Sequence, residues 1–133
     1  MKKNETNEPI RVAVYGTLLT GEGNFRVGAD ALDRKTCRLR GTLYDPHYGF
    51  PAFVPKGRGA FDVAGEVLTV TPETFARLDR LEGYPNLYGR ERVPALLEDG
   101  SRVEAWVYVM RRLPEGSKVI DSGDWCAYRL SLR

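Results

Sequence analysis

Val63-Ala64-Gly65-Glu66-Val67-Leu68-Thr69-Val70-Thr71-Pro72-Glu73-Thr74-Phe75-Ala76-Arg77-Leu78-Asp79-Arg80-Leu81-Glu82-Gly83 holds a strand, a helix and the punctuation between them. Val63 to Val70 reads as an alternating strand rich in β-branched residues. Thr71 is placed to cap a helix. Pro72 fits the first helical position, where its missing N–H is not needed, and Glu73 suits the positive end of the helix dipole. The helix runs to about Glu82, and Gly83 fits the left-handed position beyond its end.

No other stretch gives so strong a helix. Upstream, Arg11-Val12-Ala13-Val14-Tyr15 reads as a buried strand that stops at Gly16, and Gly16 to Gly23 holds three glycines and reads as turn and loop. Phe25 to Leu32 is expected to form a short helix with Asn24 as its cap, and Cys37 to Tyr44 a strand. Asp45 to Gly59, rich in Pro and Gly, is expected to be irregular. Downstream, Val93 to Leu97 and Val103 to Met110 flank the hairpin signal Glu98-Asp99-Gly100-Ser101. Pro94 puts the first of these strands at an edge or a bulge. The second places Val103, Ala105, Val107 and Val109 on one face, and Glu104, Trp106, Tyr108 and Met110 on the other. The tail, Pro114 to Arg133, shows turn signals at Pro114-Glu115-Gly116 and Ser122-Gly123-Asp124. Short strands with one or two helices make an α+β domain, a small and mostly antiparallel sheet curled into a barrel.

The chain has 133 residues, enough for one core and one domain. Residues 1–9 are expected to form a flexible tail and 10–133 a single domain. Acids and bases are interspersed, with a net charge of +2, which argues against nucleic acid as a partner. No apolar run reaches the length of a membrane span. Met1 to Pro9 is polar and unlike a secretory leader. The expected location is therefore the cytoplasm, with Cys37 and Cys126 as reduced thiols. A single histidine, His47, in the turn Asp45-Pro46-His47-Tyr48-Gly49, and the absence of a Cys-x-x-Cys pair make a zinc cage or a Ser-His-Asp triad hard to build.

Tyr15-Gly16-Thr17-Leu18 follows a buried strand directly. Gly16 lets the chain turn sharply and lets a ligand approach the backbone, and turn amides that point one way form a nest for an anion such as a carboxylate. Gly16-Thr17-Leu18-Leu19-Thr20-Gly21 has the glycine spacing of a phosphate loop, but Glu22 and Gly23 stand where that motif needs Lys and Ser or Thr. A dinucleotide fingerprint fails as well, because Arg26 occupies its third glycine position. A plain strand-exit turn is the competing reading.

On the helix, Phe75, Leu78 and Glu82 share one face. Glu82 thus lies on the stripe that faces the core, with Leu81 also roughly inward. Desolvation, the negative helix end and Asp79 three residues before all push its pKa up, as a general base working near neutral pH requires. A surface glutamate at a frayed helix end, paired with Arg80 or Arg90, is the competing reading. In Gly83-Tyr84-Pro85-Asn86-Leu87-Tyr88-Gly89-Arg90, Tyr88 could donate to a substrate carbonyl or to Glu82, and Arg90 could hold a carboxylate in bidentate fashion. Spacing alone also allows packed tyrosines and a surface arginine.

Together these motifs resemble the γ-glutamylcyclotransferase-like proteins, including the AIG2-like and γ-glutamylamine cyclotransferase branches. Val14-Tyr15-Gly16-Thr17-Leu18 resembles the family's Y-G-[ST]-L signature. Gly41-Thr42-Leu43-Tyr44 and Gly49-Phe50-Pro51-Ala52 resemble its second strand and the following turn, and Val63-Ala64-Gly65-Glu66-Val67 its G-E-[VL] strand. Leu78-Asp79-Arg80-Leu81-Glu82-Gly83 resembles the helix with the catalytic glutamate, and Tyr88-Gly89-Arg90 the Y-x-R that follows. Ala105-Trp106-Val107-Tyr108 and Ser122-Gly123-Asp124-Trp125 resemble the last strand and the C-terminal signature.

The resemblance implies a small mixed, mostly antiparallel β-barrel flanked by helices, with a pocket at one end for a small γ-glutamyl compound. It implies that Tyr15, Gly16, Thr17 and Leu18 hold the glutamyl α-carboxylate and amine, and that Glu82 is the acid/base. It implies as well that Tyr88 and Tyr108 line the pocket. No metal, nucleotide or other cofactor is called for. The products would be 5-oxoproline and a free amine or peptide. The alternatives are a non-catalytic binding module of the same fold and, on the strength of Trp106 and Trp125 alone, a protein scaffold; core packing explains both tryptophans more simply. The leaving amine and the oligomeric state are not legible in the sequence.

Overall fold

A computed structural model describes residues 9–132; the expected flexible tail lies almost wholly outside them. The elements run β1 (Ile10–Val14), β2 (Asp33–Leu39), β3 (Gly41–Asp45), β4 (Ala52–Pro55), β5 (Val63–Val70), α1 (Pro72–Leu81), β6 (Tyr88–Leu97), β7 (Arg102–Met110), β8 (Lys118–Val119) and α2 (Trp125–Ser131). Five strands close into a barrel in the order β1-β5-β2-β6-β7. The contact of β1 with β7 is parallel and the others are antiparallel. This is the mixed, mostly antiparallel barrel with flanking helices expected from the sequence. A second sheet, β4-β3-β8, packs against the barrel through β4 and β7. No helix among the described residues is long and apolar enough to cross a membrane.

Two apolar clusters explain the architecture. One takes buried residues from all five barrel strands, among them Ala13, Cys37, Val67, Ala95 and Val107, and fills the barrel. The other, with Val12, Val14, Leu68, Leu78, Tyr108 and Met110, lies under α1. β7 feeds both: Val103, Ala105, Val107 and Val109 turn to the first, Trp106, Tyr108 and Met110 to the second. A strand buried on both faces carries apolar side chains on both.

β5 and α1 form as expected. Thr71 caps α1 by accepting from the Thr74 amide, Pro72 sits in its first turn, and Gly83 follows with φ 67°. Pro94 falls where β6 has an edge, since pairing with β2 begins only at Ala95.

Four expectations need correction. The helix over Phe25 to Leu32 is a single 3-10 turn, Phe25–Gly28, without a cap bond from Asn24. Val27 and Gly28 are weak helix formers, and the chain is drawn into the barrel where the Leu32 amide donates to the Thr69 carbonyl at 2.7 Å. Cys37 to Tyr44 is two strands in two sheets, broken at Arg40. Gly41 permits that corner, because a Cβ there would lie 2.6 Å from the Phe53 ring. The segment Asp45 to Gly59 contains β4. The tail, read as turns, contains β8 and α2, the latter capped by Asp124, which accepts from the Ala127 amide at 3.1 Å.

The turn into α2 depends on Gly123. Its φ is 67°, and a Cβ there would overlap the Asp62 carbonyl oxygen. The left-handed conformation and the overlap together set the expected cost of Gly123→Ala at about 3 kcal/mol. Urea denaturation of the variant measures it, and a midpoint equal to that of the wild type would contradict the close approach.

Candidate active site

The ladder between β1 and β5 ends at the pair Val14 and Glu66. Beyond it the chain leaves the sheet as Tyr15-Gly16-Thr17-Leu18. The Leu19 amide donates to the Gly16 carbonyl at 3.0 Å and the Asn24 amide to the Thr17 carbonyl at 2.8 Å, which folds the segment back on itself. Asn24 also donates its Nδ2 to Thr17 Oγ1 at 3.0 Å. Among the described residues, nothing in the protein accepts from the amides of Gly16, Thr17 or Leu18. Three consecutive amides without intramolecular partners form the kind of concavity that takes an anion.

Glu82 caps the C-terminus of α1, its amide bonded to the Leu78 carbonyl at 3.0 Å. Burial raises its carboxyl pKa from 4.5 to about 7. Of the three influences read from the sequence, desolvation is the one that acts. Asp79 is spent elsewhere: both its oxygens accept from Arg90 Nη1 at 3.1 Å, and Oδ1 also accepts from the Tyr108 hydroxyl at 2.7 Å. No cation among the described residues is within ion-pair distance of Glu82, so the surface-pair reading with Arg80 or Arg90 fails.

Glu82 and the glycine turn meet in one cavity of about 200 Å³. Tyr15, Gly16, Thr17, Leu18, Glu82, Tyr88 and Tyr108, the site residues implied by the resemblance, all line it. The tyrosine hydroxyls are engaged. Tyr15 donates to the Tyr108 carbonyl and Tyr88 to the Pro51 carbonyl, each at 2.7 Å, and Tyr108 donates to Asp79. Tyr88 therefore does not donate to Glu82. Burial, first, and neighbouring carboxylates hold all three phenols protonated, well above their ordinary pKa. Each has its one hydrogen committed and keeps an oxygen lone pair.

Arg90 does not line the cavity. Its guanidinium lies over the rings of Phe75, Tyr84 and Trp106, with centroids at 4.2, 4.3 and 5.1 Å. His47 is exposed and outside the cavity, its Nε2 3.2 Å from the Gly116 carbonyl. Ala13 and Val14 of β1 add to the wall, as do Asn24, Phe50, Pro51, Leu81 and Leu87, none of which the sequence reading placed at a pocket. Gly49-Phe50-Pro51-Ala52 carried a signal for two of them. Leu81 is not packed inward but 38% exposed, at the cavity mouth.

The sequence pattern of the family described as "Gamma-glutamyl cyclotransferase, AIG2-like" matches residues 12–127. A relative from Methanocaldococcus jannaschii is 40% identical over 122 residues, covering 89% of this chain and 97% of its own. The gamma-L-glutamyl-butirosin B gamma-glutamyl cyclotransferase of Niallia circulans is 34% identical over 125 residues, covering 88% of this chain and 76% of its own. Among solved structures, an AIG2-like protein from Mus musculus superposes with a TM-score of 0.70 and 25% identity, over 82% of each chain. A match that runs from β1 to α2 takes in both the glycine turn and Glu82, and the chain belongs to the gamma-glutamyl cyclotransferase, AIG2-like family of enzymes.

Proposed function

We propose that this protein cyclises γ-glutamyl amines or peptides, releasing 5-oxoproline and the free amine, with Glu82 as general acid and base. The observation that carries the reading is that Glu82, its pKa raised to about 7, shares a cavity with a turn whose three amides have no partner among the described residues. The amides of Gly16, Thr17 and Leu18 receive the substrate α-carboxylate. The α-ammonium then lies toward Glu82 and the oxygen lone pairs of Tyr15, Tyr88 and Tyr108.

Glu82 in its ionised form removes one proton from the α-ammonium. The freed amine attacks the γ-carbonyl carbon of the same molecule, and a nitrogen–carbon bond closes a five-membered ring. The tetrahedral centre collapses as the bond to the leaving nitrogen breaks, and Glu82 gives that nitrogen the first proton; Glu82 then takes the second proton from the ring nitrogen and passes it to the freed amine, which departs as an ammonium ion. Nucleophile and electrophile belong to one molecule, so the protein needs only to fold the substrate and move a proton. The unpaired cysteines suit a reducing compartment such as the cytoplasm, and the reading treats residues 10–133 as one domain.

The test is a panel of γ-glutamyl-lysine, γ-glutamyl dipeptides and glutathione, assayed for 5-oxoproline. At least one should turn over. Because the base acts ionised, kcat/KM should rise about tenfold per pH unit below pH 7 and level off above it. Saturable binding across the panel with no product would identify a binding module instead. A pH profile flat from 5 to 8 would remove Glu82 from the proton transfer.

A further inference from the structure

Glu66, in the Gly65-Glu66-Val67 stretch of β5, carries a charge that the proposed chemistry does not use. It stands opposite Val14, where β1 leaves the sheet to become the glycine turn. Its Oε1 accepts from the Thr20 amide at 3.1 Å, from Thr20 Oγ1 at 3.2 Å and from Arg34 Nη1 at 2.5 Å. Arg34 reaches further along the same loop: Nη1 donates to the Leu18 carbonyl at 3.4 Å and Nη2 to the Gly28 carbonyl at 3.3 Å. Its guanidinium lies 4.6 Å from the centroid of the Phe25 ring. One ion pair thus fastens the loop at four places, at Leu18, Thr20, Phe25 and Gly28.

Elsewhere the loop is held by its own backbone bonds, among them Leu19 to Gly16 and Asn24 to Thr17, and by the buried side chains of Leu18 and Leu19. Between Gly16 and Gly28 its regular structure is one 3-10 turn. Asn24 braces Thr17, and Glu22 is tied to Arg129 of α2 at 2.9 Å. Neither of these bonds reaches Leu18. The ion pair is mostly buried, with 20% of the Arg34 and 18% of the Glu66 side chain exposed. A pair that is mostly buried and multiply bonded holds one geometry, whereas an exposed pair samples many.

We infer that Glu66 and Arg34 are positioning residues for substrate binding. Neither lines the cavity. They act through the Leu18 carbonyl and Thr20, setting the turn so that its consecutive amides converge on one carboxylate. The inference rests on the proposed role of that turn in holding the glutamyl end.

Binding and turnover test it separately. Calorimetry with γ-L-glutamyl-methylamide, in a Glu82→Gln background that prevents turnover, should show Kd raised about tenfold by Glu66→Gln and by Arg34→Met. With Glu82 intact, both variants should raise KM by a similar factor and change kcat by less than about twofold, with the acid limb of the pH profile still near 7. Arg34→Lys, which keeps the charge but not the forked reach, should fall between. The double variant should bind no worse than the weaker single, since either change opens the same clasp.

Variants that melt earlier yet bind with wild-type Kd and KM, or that lose kcat alone, would reduce the pair to a structural brace and overturn the inference. If Glu66→Gln fails to fold, Arg34→Met carries the same test. A wild type that binds the methylamide but turns over nothing, while Kd still weakens in the variants, would sink the cyclotransferase reading and leave the positioning role standing. Normal turnover with unchanged KM in the variants would do the reverse.

Discussion

Glu82→Gln is expected to lower kcat/KM for 5-oxoproline release by about 10³-fold or more, the range set by losing a positioned general acid/base. The variant keeps the shape and loses the proton traffic. It is also expected to gain stability at alkaline pH. The folded carboxyl holds its proton up to about pH 7, while its unperturbed value is 4.5. Between these limits the folded state binds more protons than the unfolded state, so stability falls as pH rises through the window. At roughly 1.4 kcal/mol per pKa unit, the ionised Glu82 destabilises the fold by up to about 3 kcal/mol above pH 7, and below 4.5 the cost is absent. Glutamine does not titrate. Urea denaturation at pH 5 and pH 8 should therefore show the variant gaining on the wild type as pH rises. Turnover at the wild-type rate would end the catalytic assignment. A stability difference identical at both pH values would mean that the carboxyl is not desolvated in the folded protein.

The two measurements are linked by one physical fact. Desolvation keeps the Glu82 carboxyl protonated to near neutrality, and the same desolvation makes its ionised form a poor contributor to the fold. Asp79, only three residues away, has different neighbours. Arg90 and the Tyr108 hydroxyl compensate its charge, and the aromatic rings around Arg90 fix that cation in place. Two carboxylates on one helix thus stand in different environments, one paired with Arg90 and the other, among the described residues, without a cation beside a cavity.

What could be read from the sequence follows how local each determinant is. α1 carries its cap, its first-turn proline and its terminal glycine within a dozen residues, and it forms where expected. β4 was missed because Pro51 and Pro55 bracket it, although it pairs on one side only, with β3, where a missing donor costs little. α2 was missed for another reason. Asp124 was available as a cap, but seven residues with Leu130 53% exposed display no helical stripe. The break at Arg40 is tertiary: β2 pairs with β5 and β6, and β3 pairs with β4 and β8. The cavity divides along the same line. Glu82 and the glycine turn were legible because a helix face and a strand exit are local patterns. Asn24, Phe50 and Leu87 come from three loops that only barrel closure brings together.

Gly16→Ala is expected to lower kcat/KM about 10²-fold, chiefly through KM. The reason is a contact rather than a dihedral angle. Gly16 is buried, and a Cβ there would lie 2.7 Å from both Cδ and Cγ of Pro51, well inside contact distance. Neither partner yields easily. Gly16 is held by the end of β1 and by the bond from the Leu19 amide. Pro51 has a rigid ring, and its carbonyl accepts from the Tyr88 hydroxyl. An added methyl must displace either the turn, and with it the three amides, or the Pro51 segment, and with it Tyr88. Displacements of this size pull the amides away from the α-carboxylate and cost about two orders of magnitude in kcat/KM, while overpacking costs the fold about 1–3 kcal/mol. The acid limb of the pH profile should remain near 7, because Glu82 reaches the cavity from a different element. Gly23→Ala is the matched control. It lies in the same loop, and a Cβ there meets nothing within 4 Å, so it should leave KM unchanged. If the two variants were equally impaired, the loop would simply be intolerant of substitution. If Gly16→Ala kept the wild-type KM, the turn would not hold the glutamyl end of the substrate.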